Sequence, residues 1–146
     1  MTELVFYDAV TKPSSIEKNQ IIDFLFENLD EYGDSKEDIY RCLDYATKEI
    51  ASFGGKILVL KEENTIRGVV VVNRTGMSGY IPENILVYIA VHKESRGNGY
   101  GKIMMQRIID LTKGDIALHV EADNPARFLY EKMGFTNPYL EMRLKK

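Results

Sequence analysis

The feature that most constrains this chain is Ile85-Leu86-Val87-Tyr88-Ile89-Ala90-Val91, its longest unbroken apolar run. Seven residues are too few to cross a bilayer, which takes roughly 20, yet the run has no polar side. A strand with one face in water alternates, whereas one apolar on both faces must be covered on both. The segment is therefore expected to be a central strand with helices packed above and below it. The 146 residues are enough to bury about 70% of the unfolded surface, so one domain spanning 1–146 is expected to stand without staples. Cys42, the sole cysteine, cannot close an internal disulfide and fits a reducing, cytoplasmic setting. The opening Met1-Thr2-Glu3-Leu4 lacks the basic-then-apolar order of a signal peptide.

The rest of the chain supplies the layers. Glu3 to Val10 is expected to be a first strand, ended by Thr11-Lys12-Pro13-Ser14-Ser15. Ile22, Leu25, Phe26 and Leu29 then recur at helical spacing, followed after Gly33 by a second stripe of Ile39, Leu43, Ala46 and Ile50. Lys56 to Lys61 and Ile66 to Val72 are β-branched runs about a short polar turn, the pattern of an antiparallel hairpin. After the central strand comes a helix from Tyr100 to about Thr112, then a strand from Ile116 to Val120. Strand, helix, strand in that order favours a right-handed parallel crossover. A helix from about Pro125 to Met133 and an alternating tail, Tyr139 to Leu144, complete the order β-α-α-β-β-β-α-β-α-β. The expected class is mixed α/β.

Charge is unevenly placed. Residues 13–51 carry ten acids against four bases, a balance of −6, and the remainder of the chain is +3. Such a split suits an anionic ligand at one place and a cationic one at another, or two ordinary solvated helix faces. The overall charge of −3 recommends no nucleic-acid partner, and no membrane partner is expected. His92 and His119 are not spaced as metal ligands on one helix, and no Cys/His cluster asks for zinc.

The most informative stretch lies between the central strand and the helix after it: Arg96-Gly97-Asn98-Gly99-Tyr100-Gly101-Lys102. Glycines allow a tight turn that brings backbone N–H groups close to a ligand. At a helix N-terminus such groups suit a phosphate or pyrophosphate, with Arg96 and Lys102 adding charge. The spacing is not the GxxxxGK[ST] of a Walker loop. Nor is it a Rossmann GxGxxG following a first strand.

Read as [RQ]xxGx[GA], this loop resembles that of the GNAT N-acetyltransferases, where it grips the pyrophosphate of acetyl-coenzyme A. Ile89-Ala90-Val91 precedes it at the family's spacing, and Asp123 to Phe135 resembles the family's N..A..LYEK.GF segment. The resemblance covers essentially the whole chain. It implies a mostly antiparallel sheet whose fourth and fifth strands, joined by the third helix, run parallel and splay apart. The pantetheine arm would lie in that slot against Ile89, Ala90 and Val91. Arg96, Gly97, Asn98, Gly99, Tyr100, Gly101 and Lys102 would hold the pyrophosphate, and the segment of Asp123, Asn124, Arg127, Phe128 and Tyr130 would flank the coenzyme. The family's asparagine stands seven residues before the tyrosine, where this chain has Asp123, while Asn124 is six before it. Either residue takes that place.

By the same resemblance, the Ile89 N–H polarises the thioester carbonyl and Tyr130 gives a proton to the departing thiolate. Glu83, just before the fourth strand, is the candidate base, with Tyr80 or Tyr88 acting through water as alternatives. A strand-four glutamate serves in some relatives, but position 85 here is isoleucine. His92 and His119 match no catalytic position. The implied activity is acetyl transfer from acetyl-CoA, a cosubstrate, to the primary amine of a small molecule. In that family the two N-terminal helices and the loop before the fourth strand shape the acceptor cleft; here those helices carry the −6 segment, so the resemblance favours a cationic acceptor. Acetylation of a protein or peptide, or acyl-CoA binding without catalysis, are the alternatives, and a homodimer is compatible with the resemblance. No metal is called for.

Overall fold

A computed structural model describes the whole chain, Met1 to Lys146. Five strands, β1 (Thr2–Tyr7), β2 (Gly55–Glu62), β3 (Thr65–Arg74), β4 (Asn84–Val91) and β5 (Ile116–Leu118), lie side by side in chain order. The first four pair antiparallel, and β5 runs parallel to β4. Helices α1 (Ser15–Asn28) and α2 (Lys36–Thr47) connect β1 to β2. Helix α3 (Tyr100–Leu111) makes the parallel crossover and α4 (Arg127–Lys132) follows β5. The expected mixed sheet with one parallel crossover is present.

Strand alternation sorts the core into two layers. Ile57 and Val59 of β2, with Val69 and Val71 of β3, meet Ile21, Leu25, Ile39 and Leu43 of α1 and α2. Their neighbours Leu58, Leu60, Val70 and Val72 point the other way, onto Met104, Met105 and Ile108 of α3 and Tyr130 of α4. The apolar runs of β2 and β3 thus serve both layers at once, which is why neither has a polar face. The β2–β3 hairpin turns through Glu63 (φ 53°) and Asn64 (φ 63°). Two positive φ values in a row make the turn twist with its strands.

The structure corrects the expected outline in several places, and β1 ends at Tyr7 rather than Val10. The tail from Tyr139 to Leu144 forms no strand: Leu140, Met142 and Leu144 stay exposed, and the polar partner of Glu141 and Arg143 outside the tail is His119. Alternation makes a strand only where a backbone partner exists, and β5 is three residues long. For the same reason β5 stops at Leu118, leaving His119 and Val120 outside it. In α1 the inward face is Ile21, Ile22, Phe24, Leu25 and Asn28, while Phe26 is half exposed beneath the Lys36 ammonium. Helix α2 ends at Thr47, where Lys48 turns left-handed at φ 58°, so Ile50 falls off the stripe and is exposed.

Candidate active site

The site begins where β4 leaves β5. Their ladder holds only Asn84↔Ile116, Ile85↔Ala117 and Leu86↔Leu118. On its other edge β4 stays paired with β3 as far as Val91↔Gly68. A bulge marks the parting: Val71 faces Tyr88 and Val72 faces Leu86, so Val87 is an extra residue on β4. Val87 and Tyr88 consequently both pack against the α1/α2 layer, whereas Leu86, Ile89 and Val91 pack on the α3/α4 layer. An extra residue bends a strand and strengthens its twist. Past Leu86, the β5-facing edge of β4 has no strand to meet. Backbone N–H and C=O groups inside a fold need partners, and a slot of this kind suits an extended amide-bearing ligand.

The open edge leads directly into the glycine loop. A 3₁₀ turn (Lys93–Ser95) follows β4, and then Gly97 (φ 86°) and Gly99 (φ 77°) take the left-handed backbone that other residues avoid. A side chain at either would meet nothing within 4 Å, so these glycines serve the turn and leave open space beside it. Gly101 serves packing, because a Cβ there would come within 3.2 Å of Leu129. The Asn98 amide donates to the Ser95 carbonyl at 2.9 Å and fixes the loop. Helix α1 starts under Ser14 in a capping box and α2 under Ser35, but no side chain caps α3. The first of its N–H groups to reach back is Ile103, to Gly99 at 3.1 Å. Those before it are free for an anion. An extended thioester arm with a diphosphate end fits these residues.

Arg96 is used differently from expectation. Its guanidinium donates to the Asn28 carbonyl (3.0 Å), to Asp30 (3.4 Å) and to the Val91 carbonyl (3.4 Å). It fastens the loop to the end of α1 rather than offering a free charge, and Lys102 remains the exposed cation of the loop. Asn28 completes this clamp. Buried at the end of α1, it accepts from the Lys93 N–H (3.1 Å) and donates to Phe24 (2.9 Å). An asparagine three residues beyond Leu25, on an otherwise apolar stripe, was the signal for it.

On the far wall, Tyr130 is buried at 8% exposure and shares its apolar cluster with Leu86, Ile89, Val91 and Leu118, the residues around the parting strands. Its ring packs edge-on to Phe135. Burial pushes its phenol up to about 12, and its hydroxyl takes part in no hydrogen bond within the protein. Ahead of α4, the Asn124 side-chain oxygen accepts from the Ala126 N–H at 2.9 Å. The exposed Asp123 offers its carbonyl to the Tyr32 hydroxyl at 3.3 Å. Arg127 donates to the Ala122 carbonyl and lies near Glu131, and Phe128 is exposed.

Glu83 is committed to structure. One oxygen accepts from the Asp115 N–H at 2.8 Å and the other from the Gly79 N–H at 3.2 Å. Backbone donors hold its carboxyl below the usual glutamate range, which makes it a weak proton acceptor. It tethers the β3–β4 loop to the start of β5. Tyr80 stands in solvent, and His92 caps its own turn by accepting from the Glu94 N–H. Tyr88 donates to Asp34 at 2.6 Å. Asp34 was missed in the sequence because no local pattern ties a loop carboxylate to a tyrosine 54 positions away.

A central strand that parts from its parallel neighbour just ahead of an uncapped, glycine-led helix defines an acyl-CoA N-acyltransferase fold. Residues 53–137 match the acetyltransferase (GNAT) domain family, more than half of the chain, and the protein belongs to that family. A 5-NmdU N-acetyltransferase of Pseudomonas phage PaMx11 is 33% identical over 92 residues, covering 62% of this chain and 64% of the phage protein. The mouse cysteine-rich protein 2-binding protein is 41% identical over 54 residues, 36% of this chain but 7% of that protein. The chain thus spans only part of the length of the curated relatives it matches. Among solved structures, an aminoglycoside N-acetyltransferase in complex with CoA superposes with a TM-score of 0.73 at 9% identity, covering 100% of this chain and 95% of the other. The Escherichia coli ribosomal-protein-S18-alanine N-acetyltransferase gives 0.72 at 14% identity, covering 95% and 80%. These two likenesses speak for the fold. No helix is long and apolar enough to cross a membrane.

Proposed function

We propose that the protein transfers the acetyl group of acetyl-CoA to a primary amine of a small cationic metabolite, directly and without a covalent enzyme intermediate. The observation that carries this reading is the parting of β4 from β5 after Leu86↔Leu118, immediately before an uncapped helix N-terminus. Acetyl-CoA, when bound, supplies an acyl group already activated as a thioester. The backbone of Ile89 and Val91 would take the pantetheine arm as an additional strand, and the N–H groups from Gly97 to Lys102 would hold the diphosphate. The Ile89 N–H would donate to the thioester oxygen as charge develops there; one such preorganised donor is worth about 3 kcal/mol.

Tyr130 is the proton donor. Because burial raises its phenol to about 12, the proton is in place at every working pH. A free thiol titrates near ~8.5, so transfer to a thiolate in water would run uphill. The same dry surroundings disfavour a thiolate charge as well, and the mismatch narrows inside the slot. Glu83 keeps its tethering role, and the acceptor amine sheds its proton to solvent.

Calorimetry with acetyl-CoA and release of free thiol across a panel of amines and peptides test the reading. Binding together with thiol release on small polycationic amines is expected. Release on peptides alone would make the protein a peptide N-acetyltransferase. Binding with no release on any acceptor would make it an acyl-CoA-binding module.

A further inference from the structure

The acidic α1–α2 region is less open than its composition suggests. Asp30 is paired with Lys93 and Arg96, Glu37 and Asp38 with Arg41, Asp44 with Lys18, Asp23 with Lys36 and Glu49 with Lys12. Glu17 is taken up by the Ser14 cap and the Tyr7 hydroxyl. Of the carboxylates without a basic partner, Asp34 alone reaches the central strand. It is exposed, and one of its oxygens accepts from the hydroxyl of Tyr88 at 2.6 Å, while Tyr88 itself is buried at 6% exposure.

The position of Tyr88 gives this pair its meaning. It lies two residues past the last β4–β5 contact, Leu86↔Leu118, and directly after the bulge at Val87. The bulge turns it to the α1/α2 face, whereas the next residue, Ile89, packs on the opposite face with Tyr130. The hydroxyl therefore holds the Asp34 carboxylate on the face of β4 away from Tyr130, from the residue adjoining the Ile89 N–H on which the thioester would be held. Burial and the neighbouring Asp34 both push the Tyr88 phenol up, so it remains a donor at every working pH. A buried phenol needs some partner, but a water or a carbonyl would satisfy it. A carboxylate with one oxygen fixed and the other turned to solvent is also a ready acceptor for a cation.

We propose that Asp34, positioned by the Tyr88 hydroxyl, is the contact that receives an ammonium of the acceptor and makes the enzyme prefer diamines to amines of equal length with one charge. This rests on the acetyl-transfer reading above and adds to it the residue that selects the substrate class.

The test compares putrescine with aminobutanol, which replaces one ammonium by a hydroxyl, through kcat/KM for thiol release at saturating acetyl-CoA. The native protein is expected to favour putrescine by about tenfold, equivalent to about 1.4 kcal/mol. In Asp34→Asn that ratio should fall to near one. Asp34→Glu should restore part of it, and Tyr88→Phe, which keeps the buried ring, should lower it to an intermediate value. A merely structural pair would lower both rates together and leave the ratio alone. An unchanged ratio in Asp34→Asn, or no preference in the native protein, overturns the assignment while acetyl transfer stands. Absence of acetyl-CoA binding in calorimetry overturns it from beneath, together with the transfer reading.

Discussion

The two sides of the sheet are finished in opposite ways. On the α1/α2 side each helix begins under a serine whose side chain accepts a backbone N–H. Most of the carboxylates there have basic partners, and the layer is filled by fully buried residues such as Leu25, Ile39 and Leu43. On the α3/α4 side the main helix begins with no cap, the flanking strand is three residues long, and a buried tyrosine carries a hydroxyl without a partner. A cap is worth about 1 kcal/mol. On the α1/α2 side the helix starts and most carboxylates are satisfied within the protein, although Asn73 Oδ1 beside Cys42 is buried without a partner. The side left unfinished is the one on which the proposed acetyl-CoA site lies.

Removing the unpaired hydroxyl is the strongest way to break this contrast. Tyr130→Phe keeps the ring in its cluster and should lower kcat by about 100-fold, the lower range for loss of a positioned proton donor. The affinity for acetyl-CoA in calorimetry should barely change. If kcat is preserved with a good acceptor, the tyrosine belongs to packing alone. The mirror experiment on the finished side is Leu43→Ala. That residue is 0% exposed, so truncation should cost about 3 kcal/mol of stability, read in denaturant melts, while the folded fraction retains its preference among amines.

Gly99→Ala probes the helix start itself. At φ 77° an alanine pays the left-handed penalty of about 1–2 kcal/mol, although the space beside it is empty. The loop would relax away from that conformation and turn its N–H groups aside. About tenfold weaker binding of acetyl-CoA is expected, with a small loss in melting temperature. Equal affinity would mean that the diphosphate is held elsewhere.

How much of this was legible in the sequence follows from the range of each signal. Unbroken apolar runs, the Glu63-Asn64 turn and the glycines before α3 are local, and β2, β3, β4 and the loop stand where they were expected. The parting strands and the role proposed for Tyr130 came from resemblance, since neither spacing nor charge states where two strands separate. What local spacing could not state depended on partners far along the chain. The bonds of Arg96 to Asn28 and Asp30 are one case. The tail alternates like a strand but meets no adequate ladder, and ten acids in one segment look like open charge until their bases are located. Asp34 became visible only through Tyr88.

The smallest expected effect concerns Glu83, which separates a tether from a base. Its two backbone donors lower its folded value below the ordinary 4.5. The stabilisation it provides is thus complete above that ordinary value and drains away as pH falls through the lowered one. In Glu83→Gln the melting temperature should fall slightly at neutral pH, and the difference from the native protein should close in acid as the native carboxylate takes up its proton. Because the group is open to solvent, the shift is small. The acceptor-dependent rate should keep its pH profile, since a carboxylate held on the N–H groups of Asp115 and Gly79 has no free oxygen placed for the amine. A lost acidic limb in that profile would return Glu83 to the reaction and make the β3–β4 loop part of the catalytic side of the sheet.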